Sequence, residues 1–203
     1  MNPAEGYSAV SVEPKSGRES FRQDGQPLPV TLLDFWRWSA SDLVSNATRG
    51  ILAEFIVAQA LGLANGVRAE WDAYDLVTSS GLKVEVKSSA YLQSWFHKKL
   101  STVSFGIQPT LAWSADTNEL TTERKRQADV YVFCLLAHKD KTTVDPLDLR
   151  QWTFYVLPSA VLDDRCANQK KLSLSSLLRL GPVETDFDGL ATAVQCFEPQ
   201  ETV

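Results

Sequence analysis

Histidines, cysteine pairs and long apolar runs are what this 203-residue chain has little of, and each shortage removes a class of function. Only His97 and His138 occur, and none of Cys134, Cys166 and Cys196 belongs to a Cys-x-x-Cys pair, so a structural zinc site and a nuclease built on paired histidines both lack their ligands. Three scattered cysteines give no disulfide framework and suit a reducing cytoplasm, with Cys134, set in an apolar run, read as a core residue. No apolar run approaches the ~18 residues of a membrane helix. The N-terminal MNPAEGYSAV is not a basic-then-apolar leader, so a cytoplasmic protein is expected. Positive charge is also short: 20 Lys and Arg stand against 25 Asp and Glu, a net −5. That argues against a surface that coats nucleic acid broadly, but leaves room for a local basic groove or an acidic site that holds a metal.

What is present reads as one domain. Residues 1–29 are polar and rich in Gly, Pro, Ser and charge, and are read as a flexible tail; residues 30–200 form the domain. In TLLDFWRWSASDLVSN, Leu32, Trp36, Ala40 and Leu43 recur at helical spacing, and TRGILAEFIVAQALG is a second helix with Gly62 placed to cap it. STVSFGIQ alternates like a strand, and SADTNELTTERKRQ is a polar loop. ADVYVFCLLA and QWTFYVLP read as central strands buried on both faces. Pro158 opens a short helix, and LSLSSLLRLG and DFDGLATAVQCF are helical segments that close the chain. Trp36, Trp38, Trp71, Trp113 and Trp152 are read as core or interface residues. Helices at both ends of a run of strands predict an α/β fold, a mixed β-sheet core flanked by α-helices.

The stretch YDLVTSSGLKVEVKSS carries charge where strands commonly carry aliphatic side chains. Period-two alternation turns Leu82, Val84 and Val86 one way and Lys83, Glu85, Lys87 and Ser89 the other. Glu85 and Lys87 are then neighbours, and the Ser-Ser-Gly turn can bring Asp75 to them. An exposed sheet face with a surface Glu–Lys pair of little energy is the plain alternative. The preceding helix weighs against it. Glu54 is the one ionisable residue of ILAEFIVAQAL, apolar nearly all round, and a buried carboxylate needs a partner. A metal or Lys87 would serve; so would Arg49, or an edge open to solvent. Two carboxylates beside a lysine suit metal-assisted phosphodiester hydrolysis, because carboxylate oxygens hold Mg²⁺ and an ammonium can orient a water or neutralise charge at phosphorus.

In this order, Glu54 on a helix, Asp75 at one strand and Glu85-Val86-Lys87 on the next, the residues resemble the PD-(D/E)xK nuclease superfamily, with its restriction-endonuclease-like fold. The resemblance implies that Asp75 and Glu85 are metal ligands, that the main-chain carbonyl of Val86 is another, that Lys87 is the catalytic lysine and that Glu54 is an accessory ligand through water. No proline precedes Asp75, and Asp72 is a rival for the first acid. In relatives a polar residue after the lysine strand joins the site; Gln93 is the candidate here, with Ser89 second. The implied cofactor is Mg²⁺, with Mn²⁺ as a substitute.

Basic residues cluster at Lys98 and Lys99 beside Trp95 and Phe96, at Arg124, Lys125 and Arg126, and at Lys170 and Lys171. Lysines hold phosphates and aromatics stack on unpaired bases, and solvated charge explains each cluster equally well. The leading expectation is a Mg²⁺-dependent DNA endonuclease. A non-catalytic nucleic-acid-binding or protein-interaction module on the same fold is the alternative, and an unrelated α/β domain with a merely charged hairpin is the third. No separate recognition domain is visible. That favours structure-selective cleavage or a protein partner that supplies specificity, and duplex cleavage, which needs two sites, suits a homodimer. RNA is not excluded as the substrate.

Overall fold

Val130–Leu136 is buried at every position, and Trp152–Pro158 nearly so, because strands covered on both faces need apolar side chains on both. They lie at the heart of a computed structural model that describes residues 10–68, 73–114 and 119–198. In chain order, β1 (Ser20–Gln23) and β2 (Gln26–Thr31) lead into α1 (Leu32–Ala40) and α2 (Asn46–Ala60). Next come β3 (Leu76–Val77), β4 (Lys83–Ala90), β5 (Ser104–Gly106), β6 (Trp113–Ser114), β7 (Glu119–Leu120), β8 (Val130–Leu136) and β9 (Trp152–Pro158). The chain continues through α3 (Ser159–Cys166), β10 (Lys171–Ser173), α4 (Leu174–Arg179), β11 (Val183–Thr185) and α5 (Leu190–Gln195).

The main sheet has five strands in the order β11-β9-β8-β4-β3, with β4 and β8 parallel and every other pair antiparallel. This is the expected mixed α/β architecture. Period-two alternation splits the core into two layers. On one face Val84, Val86, Val132, Phe154 and Val156 meet Ala53, Ile56 and Val57 of α2 and Leu190 and Val194 of α5. On the other, Phe133, Leu135, Tyr155 and Leu157 meet Phe105 of β5, Leu162 of α3, Leu172 of β10 and Leu177 of α4. Each fully buried aliphatic or aromatic side chain contributes roughly 1.5–3 kcal/mol. No helix among the described residues is long and apolar enough to cross a membrane.

Three sequence expectations change. Residues 20–31, in and just past the stretch read as a flexible tail, form the β1–β2 hairpin: Asp24 (φ 50) and Gly25 (φ 79) both take positive φ, as a two-residue type I′ turn requires. Helix α2 is not buried all round, since Ile51 and Phe55 are 51% and 54% exposed. Its end at Gly62 (φ 70) is as expected: the Gly62 N–H bonds Gln59 O at 3.1 Å and the Leu63 N–H bonds Ala58 O at 2.8 Å. Trp152 is buried, whereas Trp38 of α1 is 85% exposed and no residue of α1 is buried; Trp71 lies outside the described residues.

Arg126, expected to touch nucleic acid, is instead an internal brace. Its guanidinium donates to Ile107 O at 3.0 Å, to Cys166 O at 3.0 Å and to the Asp163 carboxylate at 2.6 Å, tying the β5 side of the fold to α3. Each of its three nitrogens donates to protein, and the side chain is buried. Arg126→Ala is therefore expected to destabilise the protein by about 3 kcal/mol in urea unfolding. Arg124→Ala and Lys125→Ala, on exposed side chains, are expected to shift stability by less than ~0.5 kcal/mol.

Candidate active site at the edge of the sheet

Strand β3 is two residues long, and its shortness creates the site. It pairs Leu76 with Val84 and Val77 with Lys83. A tight turn closes the hairpin: Thr78 exchanges bonds with Leu82 and Gly81, and Gly81 takes the left-handed φ of 85° that the turn demands. The Asp75 N–H still reaches Val84 O at 3.1 Å. One step further along β4, the Val86 N–H is met by a side chain, donating to Asp75 Oδ2 at 2.6 Å. The N–H and C=O of one strand residue face the same neighbour, so the Val86 carbonyl also turns toward Asp75.

Alternation holds on β4. Val84 and Val86 are buried against α2, while Glu85 and Lys87 are half-buried on the opposite face and form an ion pair. The parallel register sets Glu85 beside Tyr131 and Lys87 beside Phe133. Glu85, Lys87 and Tyr131 line a cleft of about 430 Å³ together with Gln108, Lys170 and Lys171. Burial pushes the Tyr131 phenol above its ordinary range, and the charge of Glu85 adds to the shift.

Glu54 approaches from the other layer, because α2 covers the valine face. Its carboxylate is held by both arms of Arg68, at 3.0 Å for the second contact, in a cleft of about 370 Å³ that also includes Asp75. The partner is thus neither Lys87 nor Arg49. Asp75 lines the Glu54 cleft and feels the charge of Glu85 from the other. Burial raises its pKa from 3.8 to about 6, and the charges of Glu85 and, less strongly, Glu54 push the same way; the Val86 N–H and Lys87 oppose them. Burial raises the thiol of Cys134, a core residue as expected, and the charges of Asp75 and Glu54 add to the shift.

Among the described residues no three His, Cys, Asp or Glu side chains group closely enough to form a ready-made metal cluster. The pair that remains still fits a hard divalent ion. Mg²⁺ commonly takes one or two carboxylates and completes its shell with water and phosphate. Asp75 and Glu85 carry mutually repelling charge that a cation would relieve, and the Val86 carbonyl faces the same edge.

The remaining expected residues fall elsewhere. Gln93 is buried, bonds Ser101 Oγ at 3.2 Å and stands outside the Glu85–Lys87 cleft. Ser89 shares the Lys87 face, as expected, and accepts from the Ser104 N–H at 3.3 Å. Lys98, Lys99, Arg124 and Lys125 are exposed and line neither cleft; the cleft's cations are Lys87, Lys170 and Lys171. Asp72 lies outside the described residues. Sequence reasoning missed Tyr131 and Arg68: the first depends on the β4–β8 register, and the second on how the chain returns after α2.

The environment of Asp75 disfavours its ionised form, a rise from 3.8 to about 6 being worth on the order of 3 kcal/mol. The folded pKa lies above the unfolded one, so the stability linked to this proton is full below pH 3.8 and lost as pH rises through about 6. Asp75→Asn, whose amide oxygen can keep the Val86 bond, is expected to raise the melting temperature at pH 8 in the absence of divalent ions and to leave it nearly unchanged at pH 4. Calorimetry at the two pH values checks this.

Residues 33–174, from the first turn of α1 to the start of α4, match the family model described as bacteriophage T4 endonuclease IV. No individual curated protein matches the chain significantly. The matched span contains the whole of α2, β3 and β4, and with them Glu54, Asp75, Glu85 and Lys87. A match over more than half of the chain places it plainly: the protein belongs to the bacteriophage T4 endonuclease IV family, a family of nucleases.

Proposed function

We propose that this chain is a Mg²⁺-dependent DNA endonuclease of the PD-(D/E)xK type, with a restriction-endonuclease-like core, that hydrolyses phosphodiester bonds and accepts Mn²⁺ in place of Mg²⁺. The observation that carries the reading is the edge of the sheet, where Asp75 is clamped to the Val86 N–H beside the Glu85–Lys87 pair, in a chain of an endonuclease family. Asp75, Glu85 and the Val86 carbonyl would hold the ion, which when bound polarises the phosphate and lowers the pKa of its water.

The chain's own residues do the rest. Lys87, paired with Glu85, lines the cleft with it. There it orients the attacking water and offsets charge gathering on the phosphate oxygens. Lys170 and Lys171, across the same cleft, draw in the strand. Glu54, gripped by Arg68, supports the edge from behind rather than through a ligand water. Cutting both strands of a duplex needs two such edges, which a homodimer would supply; a protein partner would add specificity.

The test is cleavage of duplex, branched and single-stranded DNA by the purified chain with Mg²⁺ or Mn²⁺. Lys87→Ala and Asp75→Ala are expected to lower the rate at least ~100-fold while keeping the wild-type circular dichroism. Wild-type protein inert on all three substrates would refute the proposal and favour a binding module without turnover. The rate should also rise with pH through about 6 as Asp75 ionises, and raising the metal concentration should move that midpoint lower, because the ion binds the ionised form.

A further inference from the structure

Beside the Glu85–Lys87 cleft lies a second one, of about 320 Å³, and its lining is unusual for a protein of net charge −5. No acid borders it. Arg49, Gln93, Ser88, Ser101 and Lys171 do, and Gly106 and Lys171 line both clefts, so the two adjoin. Among the described residues, the buried side-chain atoms with no hydrogen-bond partner are Arg49 Nε and Gln93 Oε1, and both residues line this cleft.

Each of these orphans is costly. Arg49 is 3% exposed, and no carboxylate among the described residues pairs with it. Its terminal nitrogens donate to Val44 O and Asn46 Oδ1, both at 2.7 Å, neutral acceptors that leave its charge uncompensated. Desolvation lowers its pKa from the ordinary value. The Gln93 amide donates to Ser101 Oγ, but the two ends of an amide are interchangeable by a half-turn. With the amide turned, the Ser101 hydroxyl donates to the amide oxygen and the NH₂ takes the place of the unpartnered atom. The lining holds two cations and no acid, at the N-terminal end of the 15-residue α2, where the helix dipole is positive. Ser89, whose neighbour Ser88 also borders the cleft, follows Lys87 on the same face by two residues, about 7 Å along the strand.

We propose that this cleft is a subsite for a backbone phosphate of the nucleic-acid strand, next to the one cleaved, with Arg49 as its cation and Gln93, Ser88, Ser101 and Lys171 as its donors. The inference rests on the nuclease reading of the adjoining cleft, and it gives Gln93 a place with the flanking phosphate instead of the reacting one.

The experiment measures binding to the full chain in EDTA, so that no turnover is needed. One arm titrates inorganic phosphate by calorimetry; the other titrates a fluorescent single-stranded oligonucleotide at several salt concentrations. Arg49→Met is expected to weaken both at least ~10-fold and to make the oligonucleotide's log K against log salt slope shallower by about 0.7, one single-strand phosphate contact. Ser88→Ala, on a half-buried side chain that lines this cleft and not the Glu85–Lys87 one, is expected to weaken both in the same direction and carries the comparison if Arg49→Met melts early. Unchanged binding of both probes in the two variants would overturn the subsite. Loss of phosphate binding with an unchanged oligonucleotide affinity and slope would also overturn it, leaving a site for a free anion. A wild-type chain that cleaves DNA yet shows no dependence on Arg49 sinks the subsite alone; one that cleaves nothing yet shows both losses sinks the nuclease reading alone.

Discussion

The hydrogen bond from the Val86 amide to the Asp75 carboxylate is the contact on which the site depends. It ends the short edge ladder, draws an acid into a partly buried position and fixes that acid beside Glu85. One amide donor does not offset the burial of a carboxylate that faces two other acids, which is why the balance at Asp75 tips toward the protonated form. Stability and chemistry pull in opposite directions at such a group. The fold tolerates an acid it would be better without, and a cation is what the acid lacks.

The separation of roles between the two faces follows from parity. The valines of β4 are committed to the layer under α2, so Glu85 and Lys87 have only the other face to occupy. The seven-pair parallel register with β8 then dictates which aromatic neighbours they meet. A slip of one residue would exchange the faces, burying the ion pair under α2 and turning the valines into the cleft. The unbroken apolar runs of β8 and β9 make that slip costly.

Much of this was legible in the chain. Alternation in LKVEVKS is visible without coordinates, as are the Gly62 cap and the two central strands, because each rests on local pattern. The partners of charged groups were not legible, because they depend on where the chain returns. Arg68 is 14 residues from Glu54, and Asp163 is 37 from Arg126. ERKRQ looks like a solvated run, and nothing local marks its third cation as the one that turns inward. The DG dipeptide of the N-terminal hairpin was a readable signal, masked by the polarity around it. Gln93 was placed with the reacting centre because it follows the lysine strand, but the turn after β4 carries it into the neighbouring cleft.

The short ladder of β3 has one further consequence. An amide bonded to a neighbouring strand exchanges its proton with solvent only when the sheet opens, so its rate reports the stability of the whole fold. The Val86 amide answers to a titrating side chain instead. Its proton is released when that one side-chain contact opens, while the valines around it stay locked. One backbone atom thus keeps a clock on the occupancy of the edge, separate from the clock that times the unfolding of the protein.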